Sequence, residues 1–154
     1  MQNRNATRTV LMDRNGQTAI IYVAKHNYYK IPGGGIELNE DIIEAARREV
    51  LEETGCNCKI IAPLGKIVTE LPDWEMIDNS EGFIAEIIGK KHLPAFEEHE
   101  KERGFSLKWA DSLDNAIAIF EASNSVTDPC AARIQARDLA FLKLAKEYLS
   151  KNLS

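Results

Sequence analysis

The chain has 154 residues, of which 44% are hydrophobic and 28% charged, and its formal net charge is −5. This length is that of one domain, and the composition is typical of a globular protein rather than a disordered or fibrous one. The negative charge argues against non-specific binding to nucleic acids or anionic membranes, which requires a positive surface. We therefore expect a single domain over residues 1–154, with small molecules rather than nucleic acids as partners.

The cysteines and the lengths of the apolar segments favour a cytoplasmic location. Cys56, Cys58 and Cys130 are an odd number, and no second cysteine pair or nearby histidine completes a zinc-type spacing. We interpret them as reduced thiols. No apolar run approaches the ~20 residues needed to span a bilayer, and the N-terminus lacks the apolar segment of a signal peptide. The sequence thus predicts a cytoplasmic protein without a membrane partner, and it leaves a homodimer open.

The first half of the chain predicts a hairpin followed by a helix. Asn15-Gly16 lies between the β-branched runs 7–12 and 18–24, which is a strong signal for a β-hairpin. From residue 39 to residue 54, apolar side chains recur at intervals of three and four, as in an amphipathic helix. Gly55 then supplies the residue that commonly ends such a helix.

The second half alternates strand and helix patterns. Short apolar segments predict strands over 58–64, 65–71, 82–89 and 105–110. A helix is expected over 111–121, and Asp128-Pro129 marks the start of a long C-terminal amphipathic helix. The polar stretch 96–104 is short enough for a loop. Together these patterns predict a mixed α/β domain.

The first predicted helix has an unusual concentration of acidic side chains. At 100° per residue, Glu49, Glu52 and Glu53 lie within an arc of about 100°, so three carboxylates share one face. Like charges four residues apart destabilise an isolated helix. A divalent cation such as Mg²⁺ takes oxygen ligands and would remove that repulsion. The three glycines at 33–35 let main-chain groups approach a metal or a phosphate closely.

Three further side chains near this face are candidates for binding. Arg48 precedes Glu52 by one turn, where its guanidinium can orient a carboxylate. Lys30 is placed to meet a phosphate, although exposed lysines more often only contact solvent. Tyr29 can stack on a nucleobase, and core packing is the alternative for this residue.

The spacing of Gly34, Glu40 and the run 48–56 resembles the Nudix box over its full length. A chance match of all its identity positions has a probability on the order of 10⁻⁶ at average residue frequencies. The resemblance implies a Nudix-type α/β/α sandwich with a mixed β-sheet. It also implies a hydrolase that uses Mg²⁺ or Mn²⁺ and cleaves a nucleoside diphosphate linked to another moiety, such as a nucleoside triphosphate or a nucleotide sugar.

The same resemblance assigns roles within the box. It implies that Glu49 and Glu53 bind metal, that Glu52 is a ligand or a base, and that the Gly33 carbonyl joins the ligands. Gly34 and Gly35 would form the substrate-binding wall opposite the helix.

In the family that this box resembles, the general base comes either from the box or from a separate loop, which here would be the acidic stretch 96–104. Glu98 is the candidate there, because related proteins often carry a glutamate before the strand that corresponds to residues 105–110. A solvated surface charge explains any single residue of this stretch at least as well.

A protein that senses a nucleotide metabolite without cleaving it is the alternative function. Degenerate boxes are expected in such sensors, whereas the box over residues 34–56 is intact. The sequence therefore favours the hydrolase.

Overall fold

Seven strands of one mixed sheet and four α-helices make up the computed structural model, which describes residues 1–152. The strands are β1 (Gln2–Met12), β2 (Thr18–Val23), β3 (Tyr28–Lys30), β4 (Gly33–Gly35), β5 (Asn57–Leu71), β6 (Met76–Ile88) and β7 (Phe105–Ala110). The helices are α1 (Ile42–Thr54), α2 (Glu98–Glu102), α3 (Leu113–Ala122) and α4 (Pro129–Asn152).

The sheet has the order β3-β2-β1-β6-β5, with β4 paired to β1 and β7 paired to β2. Strands β1 and β6 run parallel, and the other pairs are antiparallel. The register that pairs Thr7 with Gly34 places β4 alongside the first half of β1. The glycine strand is therefore fixed against β1, the strand in the middle of the sheet order.

Helices cover both faces of the sheet because successive side chains of a strand point to opposite sides. In β1, Val10 packs with Phe120 of α3 and Phe141 of α4. The next residue, Leu11, packs with Val50 of α1 on the other face. This arrangement confirms the predicted α/β/α sandwich with a mixed sheet.

The predicted hairpin and the end of α1 are confirmed, whereas several boundaries differ. Strands β1 and β6 begin at Gln2 and Met76, earlier than the expected residues 7 and 82. Residues 57–71 form one strand rather than two, because bulges on either side of Ala62 and Pro63 let the pairing with β6 continue. Helix α1 begins at Ile42 rather than near residue 39. The expected loop at 96–104 contains α2, which a reciprocal capping interaction between Glu97 and Glu100 starts.

All three cysteines are buried and free, as expected for reduced thiols. Among the described residues, none of the helices is long and apolar enough to cross a membrane.

Candidate metal centre and substrate cleft

Helix α1 carries two glutamates inward because its apolar face is fixed against the sheet. Ala46 and Val50 are fully buried, and Glu49 and Glu53 lie beside them at 8% and 0% exposure. Gly55, at a φ of 71°, ends the helix by donating its N–H to the Leu51 carbonyl at 2.9 Å.

A third carboxylate comes from α2. Carboxylate oxygens of Glu49, Glu53 and Glu100 all lie within 4.8 Å of one another, and all three residues are buried. We call these three residues the carboxylate cluster. An all-oxygen ligand set of this kind is suited to Mg²⁺ or Mn²⁺ rather than to a softer metal.

The electrostatics of the cluster also fit a cation. Burial raises the pKa of Glu53 well above its usual range, the nearby Lys30 opposes this, and Glu100 adds to it. Burial likewise raises the pKa of Glu49, although Arg48 opposes the shift. Burial also disfavours the charged form of Glu100, but hydrogen bonds with Glu53 and the Glu97 backbone, together with the charge of Lys30, outweigh it and lower the Glu100 pKa. Closely packed buried carboxylates are stabilised when a positive charge joins them.

The glycine strand β4 lies directly against these carboxylates. Gly33 donates its N–H to Glu53 Oε1 at 2.9 Å, and its carbonyl oxygen lies 3.5 Å from Lys30 Nζ. A Cβ at Gly34 would overlap Glu49 Oε1, so a larger residue there would displace that carboxylate from its present position. Both residues therefore lie against the cluster. The roles expected for them, Gly33 as a metal ligand and Gly34 with Gly35 in substrate binding, stay predictions.

The guanidinium group of Arg48 contacts several other residues of the box. Its Nε and Nη2 bind Glu40 at 2.7 and 2.9 Å, and Nη2 also donates to the Gly35 carbonyl at 3.0 Å. Its Nη1 lies 3.0 Å from Glu49 and 3.6 Å from Glu52. The sequence predicts Arg48 as the partner of Glu52, whereas the shorter contacts join it to Glu40 and Glu49.

Two residues expected to meet substrate have other neighbours. Lys30 is 6% exposed and lies 3.5 Å from Glu53, so it neutralises the carboxylate cluster rather than projecting freely towards a phosphate. Tyr29 packs against Phe120 with ring centroids 5.8 Å apart. Its neighbour Tyr28 lines the cleft instead, because adjacent residues of β3 point to opposite faces.

Two predicted glutamates lie outside the carboxylate cluster. Glu98 is exposed, and Glu100, two residues further along α2, occupies the buried position instead. Glu52 is partly buried at the edge of the site and is paired with Arg48 at 3.6 Å. The sequence did not indicate a short helix within the acidic stretch 96–104. Glu100 therefore could not be identified as the glutamate of that stretch that faces inward.

A cleft with a volume of about 260 Å³ opens beside the cluster. Its lining includes residues of β1, β3, β4, β6, α1, α2 and α4. A buried polar network forms part of this lining: Arg8 Nε and Nη2 donate to Ser80 and Asp78, each at 3.1 Å. Arg137 of α4 lies 3.4 Å from Asp78 and 2.8 Å from Asp138. Sequence reasoning did not identify this network, although charged residues within otherwise apolar strands were a signal for it.

Comparisons with known proteins agree with this geometry. The sequence profile of the NUDIX domain matches residues 2–118. RNA pyrophosphohydrolase from Bartonella bacilliformis is 28% identical over 98 residues, which are 58% of this chain and 54% of that protein. Nudix hydrolase 18, mitochondrial, from Arabidopsis thaliana is 31% identical over 93 residues, 56% of this chain and 49% of that protein. The chain thus spans about half the length of the curated relatives it matches.

A solved structure shows the same fold. A NUDIX hydrolase from Nitrosomonas europaea superposes with a TM-score of 0.68 at 16% identity, covering 97% of this chain and 90% of that one. The sheet sandwiched between helices, with box glutamates turned inward beside a glycine strand, defines a protein of the Nudix fold class. Since the family profile covers most of its residues, the chain belongs to the Nudix family.

Proposed function

We propose that the protein is a metal-dependent hydrolase that cleaves the diphosphate linkage of a nucleoside diphosphate joined to another moiety. The observation that carries the proposal is the carboxylate cluster of Glu49, Glu53 and Glu100, because a divalent cation would stabilise three buried carboxylates this close together. The residues present fit Mg²⁺ or Mn²⁺, which when bound would screen phosphate charge and acidify a water molecule. A nucleoside triphosphate, a nucleotide sugar or a similar compound would be the substrate.

The chain's own groups would hold and orient the reactants. Glu49, Glu53 and Glu100 would hold the metal. The Gly33 carbonyl, which lies 3.5 Å from the same Lys30 Nζ that contacts Glu53, would join them. Arg48 would fix the carboxylate of Glu49 through its contact at 3.0 Å. Outer contacts of this kind commonly set the orientation of metal ligands.

Glu52 and Glu98 are the candidates for proton transfer. Glu52 lies at the edge of the site, partly exposed and outside the carboxylate cluster, where it can accept a proton from a water molecule. Glu98 is a candidate only if α2 rearranges, since its side chain is exposed. A general base contributes about 10²–10⁴-fold to a rate. Measuring the rate after substituting Glu52 or Glu98 would therefore show which of the two acts as the base.

The sensor alternative predicts binding without cleavage. The names of the two curated relatives, an RNA pyrophosphohydrolase and a Nudix hydrolase, support the hydrolase for this chain. The cytoplasmic location, the homodimer and the single domain over 1–154 stay predictions from the sequence.

A panel of nucleoside triphosphates, nucleotide sugars and dinucleotides, assayed for phosphate or pyrophosphate release with Mg²⁺, tests the proposal. We expect turnover of at least one compound, and a decrease of about 10²–10³-fold in kcat for Glu53→Gln, because metal-held charge acts mainly in the transition state. Glu44→Gln, an exposed position on the same helix, is the matched control and should retain activity. Binding of a panel compound without any release would favour the sensor.

A further inference from the structure

A network of hydrogen bonds joins Arg8, Ser80, Asp78, Arg137 and Asp138 at the floor of the cleft. Asp78 Oδ2 accepts from Arg8, and its Oδ1 accepts from Ser80 and from Arg137. The hydroxyl of Ser80 is itself used, because it donates to Asp78 and accepts from Arg8 Nε at 3.1 Å. Asp138 accepts from Arg137 and from the Ile31 N–H. The acceptors of this network are therefore already engaged.

Donors remain after these bonds are made. Among residues 1–152, no hydrogen bond reaches Arg8 Nη1, although Arg8 is only 5% exposed and lines the cleft. In the same part of the chain, three side-chain atoms are fully enclosed and lack a hydrogen-bond partner: Thr7 Oγ1, Thr9 Oγ1 and Arg137 Nη2. Arg8 Nη1 is not among them, so this nitrogen is not fully enclosed. The free nitrogen of Arg8 is thus the part of this side chain that the cleft can reach.

Within the network the charges of four side chains cancel, and Arg4 is a further positive group near Arg8 and Asp78. Two guanidinium groups, Arg8 and Arg137, are matched by two carboxylates, Asp78 and Asp138. Burial and the nearby Arg137 lower the pKa of Arg8 to about 10, which still leaves it charged at neutral pH. A guanidinium neutralised by its own carboxylate is better suited to a neutral acceptor than to a dianionic phosphate.

Besides charged groups such as Arg4 and Glu97, the cleft that holds this donor has apolar and aromatic side chains in its lining. Leu71 and Ile134 are buried at the side of the cleft, and Trp74 lies at its rim. Tyr28 also lines the cleft, and burial raises its pKa to about 12, so its hydroxyl keeps its proton. Buried aliphatic side chains and aromatic rings in the same cleft as a free donor fit a nucleobase, which has two flat π-faces and a polar edge.

We infer that Arg8 selects nucleotides whose base presents a carbonyl oxygen at this edge, as guanine, hypoxanthine and uracil do, over those that present an amino group. Arg8 can donate but cannot accept, and it matches the O6 and N7 acceptors of guanine. Adenine and cytosine present an amino donor there, which Arg8 cannot satisfy. The inference rests on the proposed function, since it concerns the nucleoside portion of the same substrate.

Equilibrium binding of nucleoside 5′-monophosphates, measured by calorimetry without divalent metal, tests the inference separately from hydrolysis. Inosine monophosphate and purine riboside monophosphate form the sharpest pair, because the second lacks the 6-oxo group. We expect the wild-type protein to bind the inosine compound at least about tenfold more tightly. Guanosine and uridine monophosphates should likewise bind more tightly than those of adenosine and cytidine. Equal affinities within these pairs would overturn the inference, whatever the protein hydrolyses.

Protein variants assign the preference to one residue. Arg8→Gln offers both a donor and an acceptor, so the preference should fall to about twofold or less. Arg103→Gln, which changes an exposed arginine at the rim, should weaken all the monophosphates by the same factor and keep the preference. If Arg8→Gln weakens ribose 5-phosphate as much as inosine monophosphate, Arg8 contacts phosphate and the inference is wrong. If that variant does not fold, the pair of ligands on the wild-type protein still decides.

Discussion

The most informative structural perturbation is Gly55→Ala, at the point where α1 ends against the segment that leads to α2. Residues of that segment bind the end of α1: His92 donates its N–H to the Gly55 carbonyl at 3.0 Å, and Ala95 donates to the Glu52 carbonyl at 2.7 Å. The segment continues into α2, which carries Glu100 into the carboxylate cluster. Gly55 therefore helps to position a metal ligand that lies 45 residues away in sequence.

The cost of the substitution has two parts. Gly55 has a φ of +71°, and a side chain in the left-handed region costs roughly 1–2 kcal/mol. A Cβ would also overlap the His92 carbonyl oxygen and lie 2.6 Å from that of Leu93. These are backbone atoms, so the segment itself must move, and such overpacking costs about 1–3 kcal/mol. The sum is about 2–5 kcal/mol of unfolding free energy.

Gly89→Ala is the matched control, because Gly89 has a φ of +74° and no other atom lies within 4 Å of the position that a Cβ would take there. Urea unfolding should show a loss of about 1–2 kcal/mol for Gly89→Ala and a further loss of about 1–3 kcal/mol for Gly55→Ala. Gly55→Ala should also weaken Mn²⁺ binding, whereas Gly89→Ala should not. Equal losses of stability, with Mn²⁺ affinity unchanged in both, would refute the positioning of Glu100 by this contact.

Three other predictions follow from the site. Arg48→Ala should leave the circular dichroism spectrum unchanged and lower activity by about 10–100-fold. Arg48→Lys should not restore the activity, because lysine lacks the planar guanidinium that binds two oxygens. An unfolded Arg48→Ala variant would show a structural role instead. Glu100→Gln should weaken Mn²⁺ affinity by at least about tenfold, whereas Glu98→Gln should change it by less than about twofold, and the reverse order would restore Glu98 as the functional residue. Burial disfavours the charged form of Asp78, but Arg8, Arg137 and Ser80 together outweigh this and lower the Asp78 pKa. The stability that Asp78 contributes is therefore present above the unfolded pKa of about 3.9, and it is lost as the pH falls through the lower pKa of the folded state. Asp78→Asn should therefore cost about 3–5 kcal/mol at pH 7 and less at pH 3 by urea unfolding, and a cost independent of pH would contradict this.

The sequence was sufficient for features that depend on local patterns. The turn at Asn15-Gly16, the end of α1 at Gly55 and the strand 105–110 all follow from short-range signals, and the structure confirms them. Helical spacing placed Glu49, Glu52 and Glu53 on one face, and Glu49 and Glu53 are the two that are buried there.

Features that depend on tertiary packing were harder to predict. Glu100 joins the carboxylate cluster because of where α2 docks, and its spacing from Glu98 does not distinguish the two residues. The role of Tyr29 was ambiguous until the face of β3 was known, and Tyr28 lines the cleft instead. Arg8 meets Asp78 only because β1 and β6 pair in parallel across 70 positions of sequence.

Titration of the metal-free protein with Mn²⁺ tests the central claim, that the carboxylate cluster is a metal centre, most directly. Calorimetry should show binding to the wild-type protein and to Glu44→Gln with the same affinity, since Glu44 is exposed on the outer side of α1. The Glu49→Gln/Glu53→Gln double variant removes two of the three carboxylates and should lose this binding while its circular dichroism spectrum is unchanged. Equal Mn²⁺ affinity in the folded double variant and the wild-type protein would contradict the assignment.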